Sequence, residues 1–181
     1  MPIWELLGLA GAPRAARSDT ASDAEAIRHI ASELEALPEE RAHYLATFAY
    51  VLGRAAHADS HFSDEETRKM EDIVRLLGHL PDAQAVLVVE MAKHQIRLVG
   101  GTQNYVVTRR FRELSTSAQR VELLECVFAV SAADESITVV EEGEARKISK
   151  ELGLTHPEFL SARAAYVEHL EALKSLRAAR R

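Results

Sequence analysis

The stretch His57-Ala58-Asp59-Ser60-His61-Phe62-Ser63-Asp64-Glu65-Glu66 decides how this chain is read. It follows a long apolar segment and opens a second helical pattern. It also returns, as Ala133-Asp134-Glu135-Ser136-Ile137-Thr138-Val139-Val140-Glu141. In both copies an Ala-Asp pair is followed by an apolar residue three places after the Asp, a hydroxyl four after it and a Glu seven after it. The interval between copies is 75 residues throughout, and it also relates Ile73 to Ile148 and Leu77-Gly78 to Leu152-Gly153. Ungapped agreement at so many positions is the mark of an internal duplication.

Each copy ends in a helix start. Ser63-x-x-Glu66 and Thr138-x-x-Glu141 are capping boxes, in which the hydroxyl accepts a free amide and the Glu returns to the amide of the cap. Before the first copy, Ser22-x-x-Glu25 caps a helix whose stripe is Ala26, Ile27, Ile30, Ala31, Leu34 and Leu37, stopped by Pro38. A second helix is predicted over about 39–57, with Leu45, Phe48, Val51, Leu52 and Ala55 on one face and Tyr44 and Tyr50 widening it. The third runs from the Ser63 cap to Leu77, with Gly78 as its stop. The fourth restarts at Pro81-Asp82 and runs through Ile96 to Gly100-Gly101; its valines make a strand the rival reading for 85–89.

A short fifth helix, about 103–114, uses Val107, Phe111 and Leu114. Ser115 and Ser117 open the sixth, about 118–132, the most apolar segment and the expected centre of the core. The seventh ends at Leu152-Gly153. Thr155-x-x-Glu158 caps an eighth, with Phe159, Ala162, Tyr166, Leu170 and Leu173 inward. The end is basic, with Lys174, Arg177, Arg180 and Arg181, which suits a helix C-terminus. The expected fold is all-α, about eight helices: two three-helix units, 39–99 and 118–178, related by a pseudo-twofold axis, plus an N-terminal and a linking helix. Residues 1–21 form a tail carrying Ile3, Trp4, Leu6, Leu7 and Leu9, and residues 22–181 form the domain.

Composition bounds the function. The chain has 181 residues, 47% apolar and 28% charged, and a net charge of −6. That is ordinary for a globular domain and gives no global basic field for nucleic acid. One cysteine, Cys126, excludes an internal disulfide. No apolar run reaches membrane-spanning length, and the N-terminus lacks the basic region of a signal peptide, so a cytoplasmic location is expected.

Chemistry concentrates in the two loops. A pseudo-twofold pairing brings Asp59, Glu66, Asp134 and Glu141 together. Carboxylates so close repel unless some are protonated or a cation sits among them. Oxygen ligands favour Ca²⁺, Mg²⁺ or Mn²⁺, and participation of His57 or His61 moves the preference towards Zn²⁺, Mn²⁺ or iron. The competing reading assigns Glu66 and Glu141 to helix capping alone, and Asp59 and Asp134 to accepting loop amides. Glu40-x-x-His43 matches half of a carboxylate-bridged di-iron pattern, without the second half. Arg109-Arg110-x-Arg112, with Lys93 and Arg97, reads as a solvated face or as partners for the surplus acids. No nucleophile with its base and no phosphate-cradling glycine loop is grouped, so no enzyme is expected.

Ala58-Asp59 through Glu66 and Ala133-Asp134 through Glu141, with Leu152-Gly153-Leu154-Thr155 and Phe159, resemble the TerB-like superfamily over about residues 40–170. Its pattern is Ala-Asp-Gly, an acidic residue, an apolar residue, Ser or Thr, then a Glu opening a helix. Here the glycine is replaced by Ser60 and by Glu135. The resemblance implies an all-helical domain of pseudo-twofold halves, an acidic metal site, and scaffold roles in tellurite or metal stress and membrane-linked complexes. No J-domain signature is present, so a chaperone role does not carry over. Two readings follow: a divalent-cation module with Asp59, Glu66, Asp134 and Glu141 as ligands and His57 and His61 as accessories, or a metal-free module that binds a protein through its acidic face or its apolar tail. The tail is also a candidate for peripheral membrane contact.

Overall fold

The computed structural model describes residues 21–56, 63–95 and 104–178. The tail, His57, Asp59, His61, Gly100-Gly101 and the last arginines lie outside the described residues. Nine α-helices are present among the described residues: α1 Ala21–Glu35, α2 Glu39–Ala55, α3 Asp64–Leu76, α4 Asp82–Gln95, α5 Asn104–Leu114, α6 Ser117–Ser131, α7 Val139–Glu151, α8 His156–Ala164 and α9 Glu171–Ala178. A 3₁₀ turn, Val167–His169, precedes α9. The valines of 85–89 are helical, and none of these helices is long and apolar enough to cross a membrane.

Local chemistry sets most helix starts. Ser63, Thr138 and Thr155 are N-caps with complete capping boxes to Glu66, Glu141 and Glu158. A fourth box starts α6, and its cap is Thr116 with Gln119 rather than a flanking serine. Ser115 instead donates to the Phe111 carbonyl at 2.6 Å. Ser22 lies within α1 rather than ahead of it, since the helix already runs from Ala21.

The core is shared between α2 and α6. Leu45, Ala46, Phe48, Ala49, Val51 and Leu52 on α2, and Leu123, Leu124, Cys126, Val127 and Phe128 on α6, are fully buried. α2 is the more enclosed: α1, α4, α5, α6 and α7 all pack on it. Its residues from Ala42 to Gly53 are all buried, whereas Val121 and Ala129 of α6 stay half-exposed. The two units pack reciprocally, α2 on α7 and α6 on α3, as an isologous arrangement requires. Tyr44 and Phe48 of the first unit cluster with Phe111 of the linking helix, and Phe128, Phe159 and Tyr166 cluster within the second unit. Burial pushes the Tyr44 phenol up to about 12, against the opposing effect of Arg41, whose guanidinium lies over the ring.

The repeated Leu-Gly pairs end their helices differently. Gly153 takes the left-handed conformation, φ +71°. In the first unit that conformation falls one residue later, on His79 at φ 50°. Gly78 is required for space: a Cβ there would lie 2.6 Å from the Val74 carbonyl oxygen and 3.0 Å from the Phe48 ring. The Cys126 sulfur is next to it, 3.9 Å from the Ile73 carbonyl.

The predicted eighth helix is broken. It ends at Ala164, and Leu170 is extended, forming an isolated parallel bridge with Ile137. The Ile137 amide donates to the His169 carbonyl at 2.7 Å, and the Glu171 amide donates to the Ile137 carbonyl at 3.0 Å. The break lets the second loop satisfy its backbone groups, which burial of Ile137 cuts off from water.

Candidate functional site at the acidic loops

The second loop is built from the end of α6 to the start of α7. The Ala133 and Glu135 amides donate to the carbonyls of Val130 and Ala132, continuing the helical turn. Glu135 then reverses the chain at φ 62°. Glu135 is not glycine, so the tight turn is made by a residue with a side chain, at a steric cost. Three contacts to the C-terminal segment lock the result: Lys174 Nζ donates to the Glu135 carbonyl at 2.6 Å, Ser136 Oγ donates to Glu171 Oε1 at 3.0 Å, and Ile137 pairs with the 169–171 backbone. Lys174 therefore serves this loop rather than a helix end.

On this locked turn Asp134 is exposed and accepts no hydrogen bond among the described residues. Its expected work of receiving loop amides is not what it does. Glu141 spends Oε2 on the Thr138 amide at 2.7 Å, and Glu66 spends Oε2 on the Ser63 amide at 2.7 Å. A carboxylate has acceptor sites to spare after one such bond. The Glu66 carboxyl is held below the ordinary carboxylate range, first by the Ser63 amide and then by the Ser63 hydroxyl.

One cation lies within electrostatic reach of both loop regions. Lys69, on the second turn of α3, pairs with Glu65 at 3.1 Å and holds its proton more firmly than an ordinary lysine. The bond to Glu65 is the main cause, and Asp134 and Glu66 add to it. Asp134 of the second unit and Glu66 of the first therefore act on the same cation. Nearby, Lys93 of α4 donates to the Thr67 hydroxyl at 3.0 Å. Among the described residues no three His, Cys, Asp or Glu side chains make a metal-holding group. His57, Asp59 and His61, half of the predicted donor set, lie outside the described residues. The Glu40 and His43 pair makes no site: Glu40 is exposed, whereas His43 is buried.

Sequence reading missed the contact that joins the units. Arg54 of α2 is 8% exposed and donates to Glu144 Oε1 at 2.6 Å, to Glu151 Oε2 at 2.6 Å and to Thr108 Oγ1 at 2.7 Å. Burial alone would raise the Glu144 carboxyl, but the hydrogen bonds and charge of Arg54, with Lys147, hold it below the ordinary range. Burial likewise disfavours the Arg54 cation, and the two glutamates more than restore it. These partners lie 54 to 97 residues from Arg54, so no local pattern could have found them.

No curated protein and no solved structure matches this chain. A family model does match, that of the tellurite resistance protein TerB, over residues 44–164. The matched span covers both capping-box loops, most of α2, all of α6 and the Arg54 network, and on that ground the chain belongs to the TerB family of all-helical proteins.

Proposed function

We propose that this TerB-family module is a non-enzymatic scaffold or sensor in metal or tellurite stress, and that a divalent cation held between its two loops sets its state. The observation that carries the reading is Asp134: an exposed carboxylate without a hydrogen bond among the described residues, presented by a turn that is strained at Glu135 and tied down at Lys174, Ser136 and Ile137. A chain rarely maintains a strained backbone unless its surroundings enforce it, and such positions cluster at functional sites. The ligands would be Asp134 and Glu141 from one loop and Asp59 and Glu66 from the other, with His57 and His61 as accessories. All-oxygen donors suit Ca²⁺, Mg²⁺ or Mn²⁺. Bound there, the ion would hold both halves in one arrangement, which a protein partner could read.

The second reading is a metal-free interaction module. It draws on Lys69, whose charge already acts on Asp134 and Glu66. Calorimetric titration of chelator-stripped protein with Ca²⁺, Mg²⁺, Mn²⁺ and Zn²⁺ separates them. The first reading expects saturable binding of one ion per chain, lost in Asp59→Asn/Asp134→Asn. Absence of binding by the wild type, or binding that persists in the double variant, would overturn it. The acidic face or the Trp4 tail would then be sought as a protein contact.

A further inference from the structure

A second, unrelated site lies on the opposite chemistry. Tyr105, Arg109, Arg112, Glu113, Arg120 and Glu151 line an open cleft of about 490 Å³ between α5, the first turn of α6 and the end of α7. Arg109 and Arg112 are three residues apart on α5 and so share a face. Both acids of the cleft are already engaged: Glu113 by Arg109 at 3.5 Å and Arg110 at 3.2 Å, Glu151 by Arg54 at 2.6 Å. Arg120 is held by the carbonyls of Thr116 at 3.2 Å and Leu152 at 3.3 Å, neutral partners that leave its charge available, though it also helps keep the exposed Glu158 carboxylate low. Arg112 has no hydrogen bond or ion pair among the described residues. Its guanidinium rests against Gly153, where a Cβ would lie 2.5 Å from Cζ. The left-handed helix end that glycine supplies thus also makes room for an uncommitted guanidinium.

We infer that this cleft binds the phosphate group of a small soluble compound, with Arg112 as the fork that grips it and Arg109 and Arg120 as flanking charges. Guanidinium groups match phosphate oxygens in paired hydrogen bonds. The volume suits one small ligand. Apart from the Tyr105 ring the walls are polar, which offers little to an acyl chain and favours a soluble phosphate over a lipid headgroup. The net charge of −6 repels anions in general, so any affinity must be local to these arginines.

The probe is pyrophosphate, titrated calorimetrically into the full chain at low salt. Saturable binding by the wild type is expected, weakened about ten-fold or more in Arg112→Gln, the effect of losing one charge-assisted contact. Arg68→Gln, an exposed arginine on α3, should bind as the wild type does. Arg112 holds no other side chain in place, so circular dichroism should show its variant folded. Absence of saturable binding by the wild type, equal affinity in Arg112→Gln, or an equal loss in Arg68→Gln would each overturn the assignment.

Discussion

Glu135 sits at φ 62°, where an L side chain crowds its own carbonyl. Glycine there would remove the crowding but would lose more conformational freedom on folding. The first effect is the larger, so Glu135→Gly is expected to stabilise the protein by about 0.5–1 kcal/mol. The midpoint of urea unfolding measures it. A lower midpoint would mean that the Glu135 side chain holds the loop in a way its exposure does not suggest. At this scale much was legible in advance. Ser63, Glu66, Thr138, Glu141, Thr155 and Glu158 take their predicted capping roles, because a capping box is closed within four residues and owes little to the rest of the fold. Thr116 was hidden between two other hydroxyls that could have served. His79 was hidden because the space beside Phe48 and Cys126, not the backbone, is what requires Gly78.

Among the elements, the joint between α2 and α7 carries the sharpest expectation. Replacing Arg54 by Met leaves Glu144 and Glu151 facing each other in a part-buried site. The expected cost is about 3 kcal/mol, the lower end for breaking a buried pair, since both acids keep some exposure. Adding Glu144→Gln and Glu151→Gln should recover most of it, because the repulsion and the stranded charges go together. The same joint sets an acid limit. The Glu144 carboxyl is held lower in the folded state than in the unfolded chain. Its contribution is therefore present above the ordinary carboxylate value of about 4.3 and is lost as pH falls through the lower folded value. Urea unfolding at neutral and acid pH should show a smaller drop in Glu144→Gln than in the wild type. The break between α8 and α9 shows why elements were read less well than residues. Phe159, Ala162, Leu170 and Leu173 keep helical spacing across it, and no Pro or Gly marks it. Its cause is the backbone of Ile137, more than thirty residues earlier. The arginine cleft has the same character: Arg109 and Arg112 could be seen on one helix, but Arg120 and Gly153 join them only when three helices meet.

At the scale of the whole molecule the two repeat-bearing halves share one core. α2 belongs to the first half, yet α6 and α7 of the second cover much of it. A fragment spanning 21–115 would lose the α6 and α7 surfaces that pack on α2 and α3, at about 25 cal/mol for each Å² of apolar surface uncovered. It is expected to show no cooperative urea transition by circular dichroism, whereas the full chain should unfold in one step. A sharp transition in the fragment would show that the halves merely associate. The all-helical plan was legible because each helix carries its own spacing and most carry their own capping box. What it could not convey was α2's greater enclosure, which arises only when five other helices pack on it.

The chain's single thiol lies where α3 and α6 meet, fully buried behind Gly78, and burial pushes it well above the ordinary thiol range. An alkylating reagent cannot reach it in the folded molecule, nor would it meet a thiolate there. Labelling must wait until the two halves part. The rate at which Cys126 takes up a probe is therefore a clock for the opening of the interface itself, readable at one atom and without any added mutation.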